Sequence, residues 1–106
     1  MNKSQQHKPN IAIIFGGRSG EYGVSLQSAT AVIKAIDTNK YQPILIGITR
    51  AGEWFRFNGD TDKIADDTWH NDNDCVHACI LPCRTIHGML DLDNHTPLRL
   101  DAAMPV

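Results

Sequence analysis

An α/β fold built on an open parallel sheet is what this sequence predicts, and three observations predict it. A short apolar run, Ile11 to Phe15, stops at Gly16-Gly17; a helical stripe follows; a second apolar run, "YQPILIGI", comes after the helix. A continuous apolar strand of this kind belongs in the middle of a parallel sheet covered on both faces. Strand, helix and strand in that order make a right-handed crossover unit.

The opening MNKSQQHKP is polar, so residues 1–9 are expected to form a disordered tail ahead of one domain spanning 10–106. Between Val24 and Ile36, the residues Val24, Leu26, Ala29, Val32, Ile33 and Ile36 form one apolar stripe at helical spacing, as in a helix packed on a sheet. Asp37-Thr38-Asn39 breaks that helix. Tyr41 to Ile48 is the second strand, with Pro43 near its beginning or on an edge. Ala51-Gly52 marks a turn into a short strand, Trp54 to Phe57. Residues 58–74 are aspartate-rich and predict a surface loop with a helical turn around Lys63 to Asp67, while Trp54 and Trp69 are expected to cover edges of the core. Residues 77–100 read as two or three short strands, in which Met89, Asp91 and Asp93 alternate with Leu90 and Leu92. The final "LDAAMPV" reads as another core strand. The whole is an open, Rossmann-like parallel sheet with a small antiparallel β insertion before its last strand.

Composition limits the function. A chain of 106 residues holds one domain with a real core, but is small for an enzyme that must enclose a nucleotide and two substrates. Its formal charge of −2, with acids and bases scattered, argues against nucleic acid or an anionic membrane as partner. No apolar stretch suits a secretory signal or a bilayer span, so a cytoplasmic protein is expected. The three cysteines, Cys75, Cys79 and Cys83, cannot all pair within one molecule. With His77 they would share one face of an extended strand, but their spacing matches no common zinc motif, and half-buried thiols are expected. Asp91, Asp93 and Asn94 begin like a calcium loop, yet Thr96 and Ala102 stand where glycine and glutamate are needed.

The turn "GGRSGEYGVS" between the first strand and the helix is the candidate site, because ligands of open parallel sheets bind beyond the carboxyl ends of the strands. Gly16, Gly17 and Gly20 allow a tight turn and close approach of a ligand to the backbone; a plain tight turn also fits them. A dinucleotide reading would place a pyrophosphate here and use Arg50 for a 2′-phosphate, as in an NADP-dependent reductase. The spacing is GGxxG rather than GxGxxG, however, and Glu21 sets a charge where the pyrophosphate would lie. Two like charges about 4 Å apart repel by about 4 kcal/mol at an effective dielectric of about 20. The opposite reading makes Glu21 the recognition element, held at the positive end of the helix and aimed at an ammonium group. Ser25 is expected to cap the helix, with a hydroxyl that can also position a substrate. A non-catalytic interaction module is the third reading.

These residues carry a family resemblance. "FGGRSGEYGVSLQSA", "YQPILIGITRAGEW" and "PLRLDAAMPV" closely resemble the N-terminal domain of D-alanine:D-alanine ligases, the ATP-grasp enzymes of peptidoglycan precursor synthesis. The resemblance implies that Glu21 binds the amino group of the first D-alanine and that Val24 and Ser25 line or support the same subsite. It implies ATP and Mg2+ or Mn2+ as cofactors of the full-length enzyme, held by central and C-terminal domains that the 106 residues do not include, and an acyl-phosphate route to the dipeptide. On that reading the chain is truncated before those domains, has no ligase activity by itself, binds neither ATP nor metal, and belongs to a possible homodimer. Many members read Glu-His-Glu-Val-Ser in the loop; this chain has Tyr22 and Gly23 in the second and third places.

Overall fold

The computed structural model describes residues 8–71, 73–82, 87–93 and 96–106. Seven strands form one sheet: β1 (Asn10–Gly16), β2 (Gln42–Ile48), β3 (Trp54–Phe57), β4 (Cys75–Pro82), β5 (His87–Asp91), β6 (Thr96–Arg99) and β7 (Ala102–Pro105). Helix α1 (Tyr22–Ala35) joins β1 to β2, and a short helix α2 (Thr61–Ala65) with a 3-10 turn (Trp69–Asn71) joins β3 to β4. The strand order is β6-β5-β4-β3-β2-β1-β7. The three strands β2, β1 and β7 are parallel, and β3 to β6 are antiparallel. This is the expected α/β sheet with its parallel core; the antiparallel part takes in four strands. Pro43 is the second residue of β2, outside the stretch Leu45–Ile48 that pairs with β3, so the N–H it lacks is not missed in that pairing.

Chain connectivity forces this open sheet to roll. Laid flat, β6 and β7 would be six strand spacings apart, about 29 Å. Only Leu100 and Asp101 connect them, a span of at most about 11 Å. The two edges are therefore brought together around the start of β1. There Asn10 Nδ2 donates to the Arg99 carbonyl, Asn10 N–H donates to Asp101 Oδ2, and Asp101 N–H donates to the Asn10 carbonyl, each at 2.8 Å.

Rolling explains why β1 is apolar on both sides. Its alternate residues Ile13 and Phe15 enter a core with Tyr22, Leu26, Ala29, Phe57, Ile64 and Trp69, under the helices. Ala12 enters a second core with Ile44, Ile46, Ala78, Met89 and Leu100, so the second face is covered by the sheet's own antiparallel extension rather than by a helix. In β5 the inward residue is Met89, fully buried, while Leu90 is half-buried; Leu92, just past the strand, is exposed.

The segment expected to be a surface loop is anchored instead. Ile64 and Trp69 are completely buried, and Trp69 lies at the centre of the first core, not at an edge. Its ring meets Phe15 edge-on at 4.9 Å between centroids, and Phe55 and Phe57 at 6.3 Å. The five-residue α2 forms in this polar stretch because both of its ends are satisfied. Asp60 caps it by accepting the Asp62 N–H, and at its exit Asp67 N–H donates to Ile64 O and Thr68 N–H to Lys63 O, the paired bonds of a Schellman termination.

Gly47 makes room for Trp69: a Cβ there would lie 2.4 Å from the indole ring. Gly47→Ala is therefore expected to cost about 1–3 kcal/mol by overpacking. Urea unfolding checks this, and an unchanged midpoint would contradict it.

Two other expectations change. In the last segment, read as core, Leu100 is buried in the second core and Val106 packs against the first, while the four residues of β7 between them are exposed. The expected tail 1–9 falls mainly outside the described residues, but Pro9 O accepts Gln42 N–H and Lys8 Nζ donates to Thr38 O. Cys83 also lies outside them, while Cys75 Sγ donates to Trp69 O and Cys79 is half-buried. No helix among the described residues is long and apolar enough to cross a membrane.

Candidate functional site

The parallel strands β2, β1 and β7 end at one level, with Gly16 paired to Ile48 and Ile14 to Pro105. The chain leaves β1 towards β2 on one side and returns as β7 on the other, which makes the β1/β7 boundary a switch point, where such sheets bind ligands. Two residues carry the turn there. Gly16 has φ +86°, and a Cβ on it would sit 2.1 Å from the Ile48 carbonyl oxygen; Gly17 donates its N–H to that same oxygen at 2.8 Å. Gly20, grouped with them on sequence, has no left-handed backbone, and a Cβ there would touch nothing. It is not required by the turn.

Helix α1 begins at Tyr22, two residues before the apolar stripe suggested, and extends the buried face by one turn. The inward residues are Tyr22, Ser25, Leu26, Ala29 and Thr30, followed by the half-buried Val32, Ile33 and Ile36. Val24 is 60% exposed and stands outside the core stripe in which it was placed. The missed signal was the polar-tipped pair Tyr22 and Ser25, which complete the three-and-four spacing with Leu26 and Ala29.

Ser25 does not cap the helix. It lies one turn inside, its N–H donating to Glu21 O. Its hydroxyl accepts the Gly16 N–H at 2.9 Å and donates to the Val106 carbonyl, so it fastens the ends of β1 and β7 to α1. Ser25→Ala would leave both backbone groups without that partner and is expected to cost about 1–3 kcal/mol. Faster hydrogen exchange at the Gly16 amide would check this; unchanged exchange would contradict it.

Glu21 is the N-cap residue, exposed, and its side chain makes no capping bond. Among the described residues its carboxylate has no hydrogen bond or ion pair; its N–H donates to Ser19 Oγ at 3.1 Å. An unengaged anion therefore stands at the positive end of a 14-residue helix, at the crest of the parallel strands. Its backbone, φ −86° and ψ 10°, lies in the sparsely populated bridge region.

Beneath it lies a network that sequence reasoning did not find. Tyr22 is 1% exposed; its hydroxyl donates to Asp67 Oδ1 at 2.6 Å and accepts from Trp69 Nε1 at 3.1 Å. Burial, and then the Asp67 hydrogen bond, push its phenol up to about 12. Arg50, the residue a 2′-phosphate would need, lies with its guanidinium 4.1 Å from the centre of the Tyr22 ring. His70 Nε2 reaches Asp67 Oδ1 at 3.3 Å. Among the described residues no three of His, Cys, Asp and Glu come together as a metal site. Among the described residues, one concavity of about 410 Å3 lies against Ile14, Ile80, Leu100 and Ala102, and another of about 560 Å3 against Trp54, Ala78, Ile80 and Leu92.

Known proteins are similar to this chain in sequence and fold. A family model described as D-ala D-ala ligase N-terminus matches residues 10–101. A putative D-alanine–D-lactate ligase of Streptomyces coelicolor is 39% identical over 98 residues, 91% of this chain and 27% of the relative. A D-alanine–D-alanine ligase of Clostridium acetobutylicum is 49% identical over 65 residues, 61% of this chain and 19% of the relative. The crystal structure of the VanG D-Ala:D-Ser ligase from Enterococcus faecalis superposes with a TM-score of 0.89 at 41% identity, over 93% of this chain and 29% of that one. A D-alanine–D-alanine ligase structure from Coxiella burnetii, 21% identical with a TM-score of 0.75, over 91% of this chain and 27% of that one, shares the fold. The chain spans less than a third of the length of each of these proteins.

Proposed function

This chain belongs to the family of D-alanine–D-alanine ligase N-terminal domains, and on that premise we propose that it is the first-substrate domain of an ATP-dependent ligase of peptidoglycan synthesis, with Glu21 receiving the amino group of D-alanine. One observation carries the reading: a carboxylate, exposed and without a partner among the described residues, at the helix end that crowns the parallel strands. An ammonium group is its natural complement, since charge-assisted hydrogen bonds are about twice as strong as neutral ones.

The relatives support D-alanine as the ligand. Their names share D-alanine and differ in the other partner, which is D-alanine, D-serine or D-lactate. The shared substrate suits the domain they share; the choice of the other partner belongs to residues outside this chain. Val24, exposed beside Glu21, is available to contact the substrate's methyl group, and Ser25 holds the backbone beneath it.

In this proposal the domain binds and orients. Holding an amino acid by its amine presents the carboxylate to the phosphoryl donor, and orientation of this kind contributes to rate by making the reaction effectively intramolecular. ATP and Mg2+ or Mn2+ would supply phosphoryl transfer when bound by the rest of the enzyme. The 106 residues alone are proposed to be inactive. Kinetics of Glu21→Gln in a full-length ligase carrying this domain test the reading: KM for the first amino acid should rise with KM for ATP unchanged, and an unchanged amino-acid KM would contradict it.

A further inference from the structure

We propose that Tyr22 and Asp67 are positioning residues, a clamp that fixes the direction of the Glu21 side chain by locking the peptide that follows it. The inference rests on the amine-binding reading of Glu21 and extends it to residues 45 positions apart in the chain.

The mechanical link is short. The ψ torsion of Glu21 is the orientation of the Glu21–Tyr22 peptide, and its value is that of the third residue in a Ser19–Tyr22 turn, closed by Tyr22 N–H donating to Ser19 O at 3.3 Å. Tyr22 anchors that turn to the domain: the ring is buried under Arg50, and the hydroxyl is held from two sides, by Asp67 as acceptor and by Trp69 as donor. With both the ring and its tip fixed, the first turn of α1 cannot rotate without breaking a buried hydrogen bond.

Asp67 itself points to a purpose beyond folding. It occupies the left-handed position that ends α2, with φ 59°, and among the described residues it is the one non-glycine residue with positive φ. That position most often takes glycine, and aspartate is one of the few other residues that enter it readily. The Schellman bonds that end the helix need only the Asp67 backbone; the side chain is spent on Tyr22, with His70 as the second group on the same carboxylate oxygen. A carboxylate placed by the helix termination and engaged with the neighbour of the recognition carboxylate is what a positioning role requires.

Substitutions separate this role from a structural one, measured in a full-length ligase carrying this domain, with Glu21→Gln as the parallel control. Tyr22→Phe keeps the buried ring and removes the hydroxyl. Asp67→Gly removes the carboxylate while relieving the backbone, and Asp67→Asn keeps an acceptor oxygen on a residue that tolerates the left-handed region. Tyr22→Phe and Asp67→Gly are each expected to raise KM for the first D-alanine about tenfold with KM for ATP and kcat within about twofold, and Asp67→Asn to restore near-native KM. If Glu21→Gln raises that KM but Tyr22→Phe and Asp67→Gly leave it unchanged, whatever they do to Tm, the clamp is overturned and the amine reading stands. If Glu21→Gln itself leaves KM unchanged, both are overturned.

Discussion

Trp69→Ala is expected to destabilise the domain by about 3–5 kcal/mol, the range for removing a large aromatic side chain from a packed core. The indole is completely buried, meets three phenylalanine rings edge-on, and carries a satisfied N–H. Removing it would open a void over Gly47, which has no side chain to fill the space, and would take away the Tyr22 hydroxyl's donor. For a small domain with a total stability of about 5–15 kcal/mol, such a loss is a large fraction of the whole. Urea unfolding followed by far-ultraviolet circular dichroism reads it directly, and a loss below about 1 kcal/mol would show that Trp69 is not the centre of the core.

Glu21→Gln has the larger functional effect. Taking away one partner of a desolvated charge pair costs about 2–5 kcal/mol, which is roughly 30-fold to several-thousand-fold in affinity. Glutamine still offers a carbonyl to the ammonium, so the lower end, about 30-fold to 100-fold in KM for the first amino acid, is expected. The loss should not touch KM for ATP beyond about threefold, because in this account the nucleotide is bound elsewhere. Stability should change little: the carboxylate is exposed and makes no capping bond, so the folded domain does not depend on it.

What the sequence revealed and what it concealed divide along physical lines. The strand Trp54–Phe57 was legible to the residue, because a turn and a run of aromatics bracket it. So was the parallel pair of β1 and β2, whose apolar runs mark burial on both faces. The agent of that burial on the second face was not legible, since it depends on the sheet rolling until β6 and β7 are joined by two residues. Trp69 was misplaced because the aspartates around it signal solvent; only the capping by Asp60 and the left-handed Asp67 allow so polar a segment to turn its two apolar residues inward. In β7, Ala102 to Pro105 look like core by composition and are exposed, while Leu100 and Val106 on either side of them pack inward.

At the site, Glu21 was found by charge alone, as an acid set among glycines. Ser25 was recognised as important but given the wrong task, because the helix starts at Tyr22 and carries Ser25 past the capping position to the strand ends. Val24 was misjudged because it lies two residues, about 200° around the helix, from the buried Leu26. The Tyr22–Asp67–Trp69 network joins residues more than 40 positions apart and left no local pattern to read.

The central claim, that the Glu21 carboxylate and a substrate amine bind each other, is tested most directly by removing each group separately and then both. Affinities of wild-type and Glu21→Gln full-length enzyme for D-alanine and for propionate, its analogue without the amine, form such a cycle. The account predicts that propionate binds wild-type enzyme far more weakly than D-alanine, that Glu21→Gln narrows this gap, and that the coupling exceeds about 1.5 kcal/mol. Additive effects, with the preference for D-alanine intact in Glu21→Gln, would contradict it.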